Sequence, residues 1–157
     1  MKVRVRKLDP AASLPKFATP GSACFDLVAL DVNGDTDWSY PLRQGSTVQC
    51  GTGLAFEIPA GHVMLVFSRS GQGFNHGIRL ANCVGVIDSD YRGEVKVKLT
   101  CDKPDESNRM PYDVRPGERV AQALILPVPA VELELADELS TTQRGAAGFG
   151  STGSASF

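Results

Sequence analysis

The 157 residues are enough for one domain with a real core and too few for two ordinary ones. Lys and Arg total 16 against 18 Asp and Glu, a net charge of −2, so the chain lacks the basic face of a nucleic-acid binder and must meet any anionic ligand with locally placed arginines. No apolar run reaches the roughly 18 residues of a membrane span, and the opening MKVRVRKLDP alternates charge with valine instead of building an apolar leader, so a soluble, cytoplasmic protein without membrane contact is expected.

Glycines (16) and prolines (10) punctuate short apolar runs, and no stretch keeps helical spacing over three turns, which predicts an all-β sandwich or barrel. Val3 and Val5 alternate with Lys2, Arg4 and Arg6 as in a strand with one wet face. A Pro20-led turn feeds a strand over 25–30, which puts Asp26 in apolar surroundings. A buried carboxylate without a partner is costly, so Asp26 requires an arginine or a hydrated cation. An acidic loop follows over 31–40, then a strand over 48–58, a turn at Pro59, Ala60 and Gly61, and a strand over 63–67. The only helix candidate, 70–77, is held by its glycines to a turn or two.

Residues 82–93 (NCVGVIDSDYRG) read as a β-hairpin with acid at its bend. The strand over 93–100 alternates Val95, Val97 and Leu99 with Lys96 and Lys98. A second polar loop spans 102–113, Arg115, Pro116 and Gly117 form a turn, and a strand over 119–128 carries Gln122, whose amide needs partners there. Beyond Leu139 the composition turns to Gly, Ser and Ala. Residues 1–139 are therefore expected as the folded domain and 140–157 as an arm that is mobile when alone.

Three polar clusters carry chemistry. Asp88 and Asp90 would share a face of a straight strand with Tyr91 pointing away, whereas a tight bend brings Asp88 and Tyr91 onto one pocket; the residues alone leave both geometries open. Ser68, Arg69, Ser70 and Gly71 (SRSG) place a guanidinium fork, a hydroxyl and flexible backbone at a strand end, a combination suited to phosphate but also to a surface ion pair. The run RGAAGFGSTG (144–153) has the composition of a phosphate-wrapping loop without being a Walker P-loop. Cys24, Cys50, Cys83 and Cys101 contain no CxxC pair and only two histidines accompany them, so reduced thiols are expected in place of a metal site.

In this order GSACFDL, SRSG, NCVGVIDSDYRG, GERVAQ and RGAAGFGSTG resemble the five motifs of trimeric dUTPases, over 21–153. The resemblance implies a jelly-roll-like β-fold, a homotrimer whose three sites lie at subunit interfaces, and Mg²⁺-dependent hydrolysis of dUTP to dUMP and pyrophosphate. Matched motif by motif, Asp88 would be the base that activates water; a carboxylate is a weak base at neutral pH, so it would act by position and charge as much as by basicity. Asn82 and the backbone around Val86, Ile87 and Lys96 would read uracil, and Tyr91 would pack on the deoxyribose and exclude a 2′-hydroxyl. Arg69, Ser70, Gly71 and Gln122 would contact phosphates, Arg144, Gly150, Ser151 and Thr152 would close on the terminal phosphate, and Phe149 would stack on the base. Asp26 would touch Mg²⁺ only through water, the ion being held mainly by the triphosphate.

Three features depart from the pattern: Ser68 stands where proline is commoner, Gln72 where an apolar residue is usual, and the 31–40 loop is long. Two other functions remain open. A dCTP deaminase of the same superfamily carries a glutamate five residues after the hairpin glycine, where this chain has Lys98; a nucleotide-binding regulator would keep the pocket without turnover.

Overall fold

A computed structural model describes residues 1–103 and 111–148. In chain order its elements are β1 (Arg4–Lys7), β2 (Lys16–Phe17), β3 (Phe25–Val28), β4 (Asp31–Val32), β5 (Tyr40–Leu42), β6 (Thr47–Gly51), β7 (Leu54–Glu57), β8 (His62–Phe67), α1 (Ser70–His76), β9 (Ile78–Leu80), β10 (Val84–Ile87), β11 (Lys96–Cys101), β12 (Tyr112–Val114) and β13 (Arg119–Pro127). The all-β expectation is borne out. Two larger antiparallel sheets, ordered β10-β8-β13-β3-β2 and β4-β6-β11-β9, are joined by two ribbons, β1-β7 and β5-β12. One buried cluster unites them, with Leu27, Met64, Val66 and Ala123 from the first sheet and Val32, Cys50, Leu80, Val97 and Leu99 from the second. Alternation along β11 puts Val97 and Leu99 inside and Lys96 and Lys98 outside, as period two requires.

The expected strand over 48–58 is two strands. Thr52, fully buried, donates its hydroxyl to the Val95 carbonyl at 2.6 Å, and Gly53 takes φ 65°; the chain thereby leaves β6 in one sheet and enters β7 against β1. A Cβ on Gly53 would lie 2.7 Å from Leu30 Cδ2, so both space and conformation call for glycine. The 31–40 segment is more ordered than a plain loop: Asn33 (φ 54°) and Gly34 (φ 84°) reverse the chain, the Gly34 N–H is bound by Asp31 Oδ1, and β4 joins the second sheet. The short helix ends as glycine dictates, with Gly77 left-handed at φ 68°.

The 82–93 hairpin requires correction. Its bend exists, with the Tyr91 N–H donating to the Asp88 carbonyl at 3.2 Å, but its arms do not pair with each other. β10 bonds to β8 as the edge of one sheet, while β11 lies between β6 and β9 in the other. The arms are thus splayed across the sandwich, and the ladder edge of β10 that a hairpin would consume stays open.

Candidate functional site

The splay creates a slot of about 470 Å³ lined by Val66, Leu80, Ala81, Asn82, Gly85, Val86, Ile87, Lys96, Val97 and Lys98. Its entrance is a tight reversal in which the Cys83 N–H donates to the Leu80 carbonyl, Cys83 takes φ 63°, and the Val84 N–H donates to the Asn82 carbonyl at 2.7 Å. The Asn82 Nδ2 lies against Gly85, and a Cβ on that glycine would sit 3.1 Å from Val66 Cβ. A side chain there would narrow the slot.

Val86, Ile87 and Lys96 also line a second, adjoining cleft that adds Asp88, Tyr91, Glu94 and Val95. The turn geometry is therefore the one present: Asp88 and Tyr91 face one space. Tyr91 rests its ring on Gly93, where a Cβ would fall 2.6 Å from Cζ, and donates its hydroxyl to the Glu94 carbonyl at 3.0 Å. Glu94 is a residue the sequence did not flag. Its Oε1 accepts the Gly53 N–H at 2.9 Å and its Oε2 pairs with Lys96 Nζ at 3.0 Å, and this hydrogen bond and charge raise the Lys96 pKa above the usual lysine value.

A third cleft, lined by Asp26, Arg69, Ser70, Gly71, Arg119, Gln122 and neighbours from 18 to 24, gathers the remaining polar residues. Asp26 on β3 faces Gln122 across the β3–β13 ladder. Of the two partners open to Asp26, the structure provides arginine, twice: Arg69 Nε meets Oδ1 and Arg119 Nη1 meets Oδ2, each at 3.1 Å. Arg119 lies inside GERVAQ, and its pairing was not foreseen. Gln122 Nε2 donates to the Ser68 carbonyl at 3.0 Å, which supplies the partner its burial demanded. The departures from the family pattern have partners too. The Ser68 hydroxyl accepts the Leu80 N–H at 2.9 Å, and Gln72, 5% exposed, donates to Glu118 Oε1 and to the Arg119 carbonyl.

Arg144 is exposed, its Nε donating to the Ala147 carbonyl at 2.9 Å, and it lines none of these three clefts. Phe149, Gly150, Ser151 and Thr152 lie outside the described residues. Among the described residues no group of three or more His, Cys, Asp or Glu side chains converges to hold a metal. Asp26 is the one carboxylate of the third cleft, a donor set that suits a hard cation brought in by phosphates and water, not one held by a protein cage. The four cysteines are free, and burial pushes the Cys50 thiol up to about 12.

Comparison with known proteins identifies the family. The dUTPase family profile matches residues 11–153. The deoxyuridine 5'-triphosphate nucleotidohydrolase of Nautilia profundicola is 42% identical over 153 residues, covering 98% of this chain and 99% of its own. That of Desulfitobacterium hafniense is 44% identical over 154 residues, with 98% and 95% covered. Among solved structures, the Staphylococcus bacteriophage 80alpha dUTPase with dUPNHPP is similar at TM-score 0.83 and 26% identity, covering 98% of this chain and 99% of that one. On sequence and fold together, the chain belongs to the dUTPase family.

Proposed function

We propose that this chain hydrolyses dUTP to dUMP and pyrophosphate as a homotrimer in which each site is completed by more than one subunit. The observation that carries this reading is the separation of the two halves of the site. Ile87 pairs with Met64 in the β8–β10 ladder and Val84 with Phe67, so Asp88 lies across from Val63 while Arg69 follows the far end of β8. Six residues of strand put them about 20 Å apart. A reacting α-phosphate held by Arg69 and Ser70 cannot lie beside Asp88 of the same chain; a neighbour's Asp88 satisfies both. The exposed alternation Val131, Leu133 and Leu135, 73% to 97% accessible, supplies apolar surface that an assembly would cover.

In this reading the base enters the slot and meets the open edge of β10 and the Asn82 amide, while the Tyr91 ring, tethered to the Glu94 carbonyl, packs on the deoxyribose where a 2′-hydroxyl would clash. Asp88 takes a proton from a water attacking the α-phosphorus, and the bond from that phosphorus to the bridging oxygen breaks, so pyrophosphate leaves with the electron pair. Arg69, Ser70, Gly71 and Gln122 of a second subunit orient the phosphates, and the arm carrying Arg144 and residues 149–152 closes over them and excludes water. Mg²⁺, when bound to the triphosphate, would supply charge neutralisation, with Asp26 and its hydration shell the protein's contact.

The test is release of dUMP and pyrophosphate from dUTP, dTTP, UTP and dCTP, with and without Mg²⁺. Selective, Mg²⁺-dependent release from dUTP is expected; equal rates on dTTP, or no release, would overturn the reading. Subunit sharing is checked by mixing inactive Asp88→Asn and Arg69→Ala chains after partial unfolding. Recovered turnover in the mixture is expected, and its absence would confine the site to one chain.

A further inference from the structure

Gln72 is the only buried residue of α1, 5% exposed, at a place where an apolar residue is usual in the family pattern. It lines none of the three clefts. Its Nε2 donates to Glu118 Oε1 at 3.2 Å and to the Arg119 carbonyl at 3.4 Å; both partners are acceptors, which fixes the orientation of the amide. The two bonds satisfy a group that is costly to bury unpaired, and they cross from the helix to the start of β13.

The start of β13 needs such a hold. The β3–β13 register shifts between Arg119 and Ala121, so the regular ladder does not fix the Arg119 peptide as it fixes Gln122 and Ala123. Arg119 matters to the third cleft in two ways. Its carbonyl accepts Arg69 Nη1 at 3.3 Å, and its side chain bonds Asp26, whose other oxygen holds Arg69 Nε. Arg69 is thus aimed by Asp26 and by the Arg119 carbonyl, and Gln72 binds the second of these. Glu118 extends the hold: its Oε1 also accepts the Tyr112 hydroxyl, and the Tyr112 ring lies 4.7 Å from that of His76 at the other end of α1. The helix has little to keep it in place alone, being seven residues long with Gly71 and Gly73 inside and no side-chain cap at Arg69.

Resting on the dUTP reading, in which Arg69, Ser70, Gly71 and Gln122 orient the phosphates, we propose that Gln72 is a positioning residue of this chain's phosphate cleft. It acts through Arg69 and Arg119, not by contact with the ligand. Its amide ties the turn that carries Ser70 and Gly71 to the irregular start of β13, so both arginines are set before the ligand arrives and binding does not have to order them. An apolar side chain of the same size fills the space, but it leaves the Arg119 carbonyl to Arg69 alone and breaks the link from α1 to Glu118.

The experiment measures, by calorimetry on the full chain, the binding of inorganic pyrophosphate without Mg²⁺ and of deoxyuridine, for the parent, Gln72→Met and Gln72→Glu, with thermal midpoints alongside. Gln72→Met, which keeps length and volume, is expected to weaken pyrophosphate about three- to tenfold and to leave deoxyuridine unchanged. Unchanged pyrophosphate binding would overturn the assignment, as would equal weakening of both ligands, which marks a general loss of structure. Gln72→Glu supplies a readout that packing alone does not move. The introduced carboxylate faces the Glu118 carboxylate and the Arg119 carbonyl: ionised it repels both, protonated its hydroxyl donates to one of them, and burial beside Glu118 favours the protonated form. Its pyrophosphate affinity relative to the parent at the same pH is expected to recover as pH is lowered from ~8.5 to ~5.5, and a ratio flat with pH would overturn the hold by the amide. A parent that binds pyrophosphate without hydrolysing dUTP would remove the dUTP reading and leave this assignment standing; a parent that binds no pyrophosphate would overturn this inference.

Discussion

Asp26→Ala is the perturbation that most directly separates a structural role from a proposed phosphate-binding role of the cleft lined by Asp26, Arg69 and Arg119. The Asp26 carboxylate is 17% exposed and accepts from two guanidiniums, Arg69 at 25% exposure and Arg119 at 54%, each at 3.1 Å. Loss of the sheltered Arg69 bond is expected to cost about 1.5–3 kcal/mol, the range for a hydrogen bond to a charged group. The Arg119 pair is more than half exposed and screened, and is worth about 0.2–1 kcal/mol. Together the variant should lose about 2–4 kcal/mol, with Asp26→Asn intermediate because one acceptor oxygen survives. Urea unfolding without nucleotide, at fixed protein concentration so that assembly does not alter the comparison, measures it. A loss below about 0.5 kcal/mol would place the triad with ordinary surface ion pairs and refute the reasoning. The same variant leaves two guanidiniums without a counter-charge, so in the absence of Mg²⁺ it should bind inorganic pyrophosphate more tightly than the parent. Weaker binding would show that the carboxylate is needed to shape the cradle.

Asp88→Asn should lower kcat by at least about a hundredfold, the ordinary worth of a positioned base, with little change in binding of a non-hydrolysable dUTP analogue; near-normal turnover would remove Asp88 from that role. Gly93→Ala should displace the Tyr91 ring that lies on it and reduce the preference for dUTP over UTP, read as a ratio of kcat/KM values, and an unaltered ratio would detach Tyr91 from sugar selection. Because Cys50 is raised to about 12 in the folded chain against an ordinary value near 9, the unfolded state loses its proton first as pH rises. Stability from this group is complete below pH ~9 and should fall by up to ~1.4 kcal/mol per pH unit above it, a slope that Cys50→Ala would abolish.

What could be read from the sequence was local chemistry. Turn residues announced the reversals at Gly61 and Gly117, both left-handed in the structure, and a carboxylate in an apolar strand announced that Asp26 must have a cationic partner. Period-two alternation gave the buried face of β11 because side-chain direction is a property of one strand. Neighbours across a sheet are not. Nothing in β1 specifies β7, 47 or more residues on, and nothing in Glu94 specifies the Gly53 amide it binds. The hairpin expectation failed for the same reason: consecutive strands usually pair, so 84–87 and the strand after the bend were assigned to each other, whereas burial of Val97 and Leu99 draws β11 into the opposite sheet.

That failure is informative about function. A paired hairpin would have spent the outer N–H and C=O groups of β10 on β11 and left no slot between them for the base of the proposed substrate. By sending the arms to different sheets the fold keeps those groups available, walls the gap with Val66 and Leu80 from the core, and leaves Asp88 and Tyr91 at its rim. The same β8–β10 ladder that holds the slot open also fixes the Asp26–Arg69 cleft at its far end, about 20 Å away by strand rise, so in the proposed reading one nucleotide would not use both ends of one chain. If, as proposed, a second subunit is part of the chemistry, activity should fall with dilution through the assembly constant even at saturating dUTP, and turnover per chain that stayed constant into the monomer range would contradict a divided site.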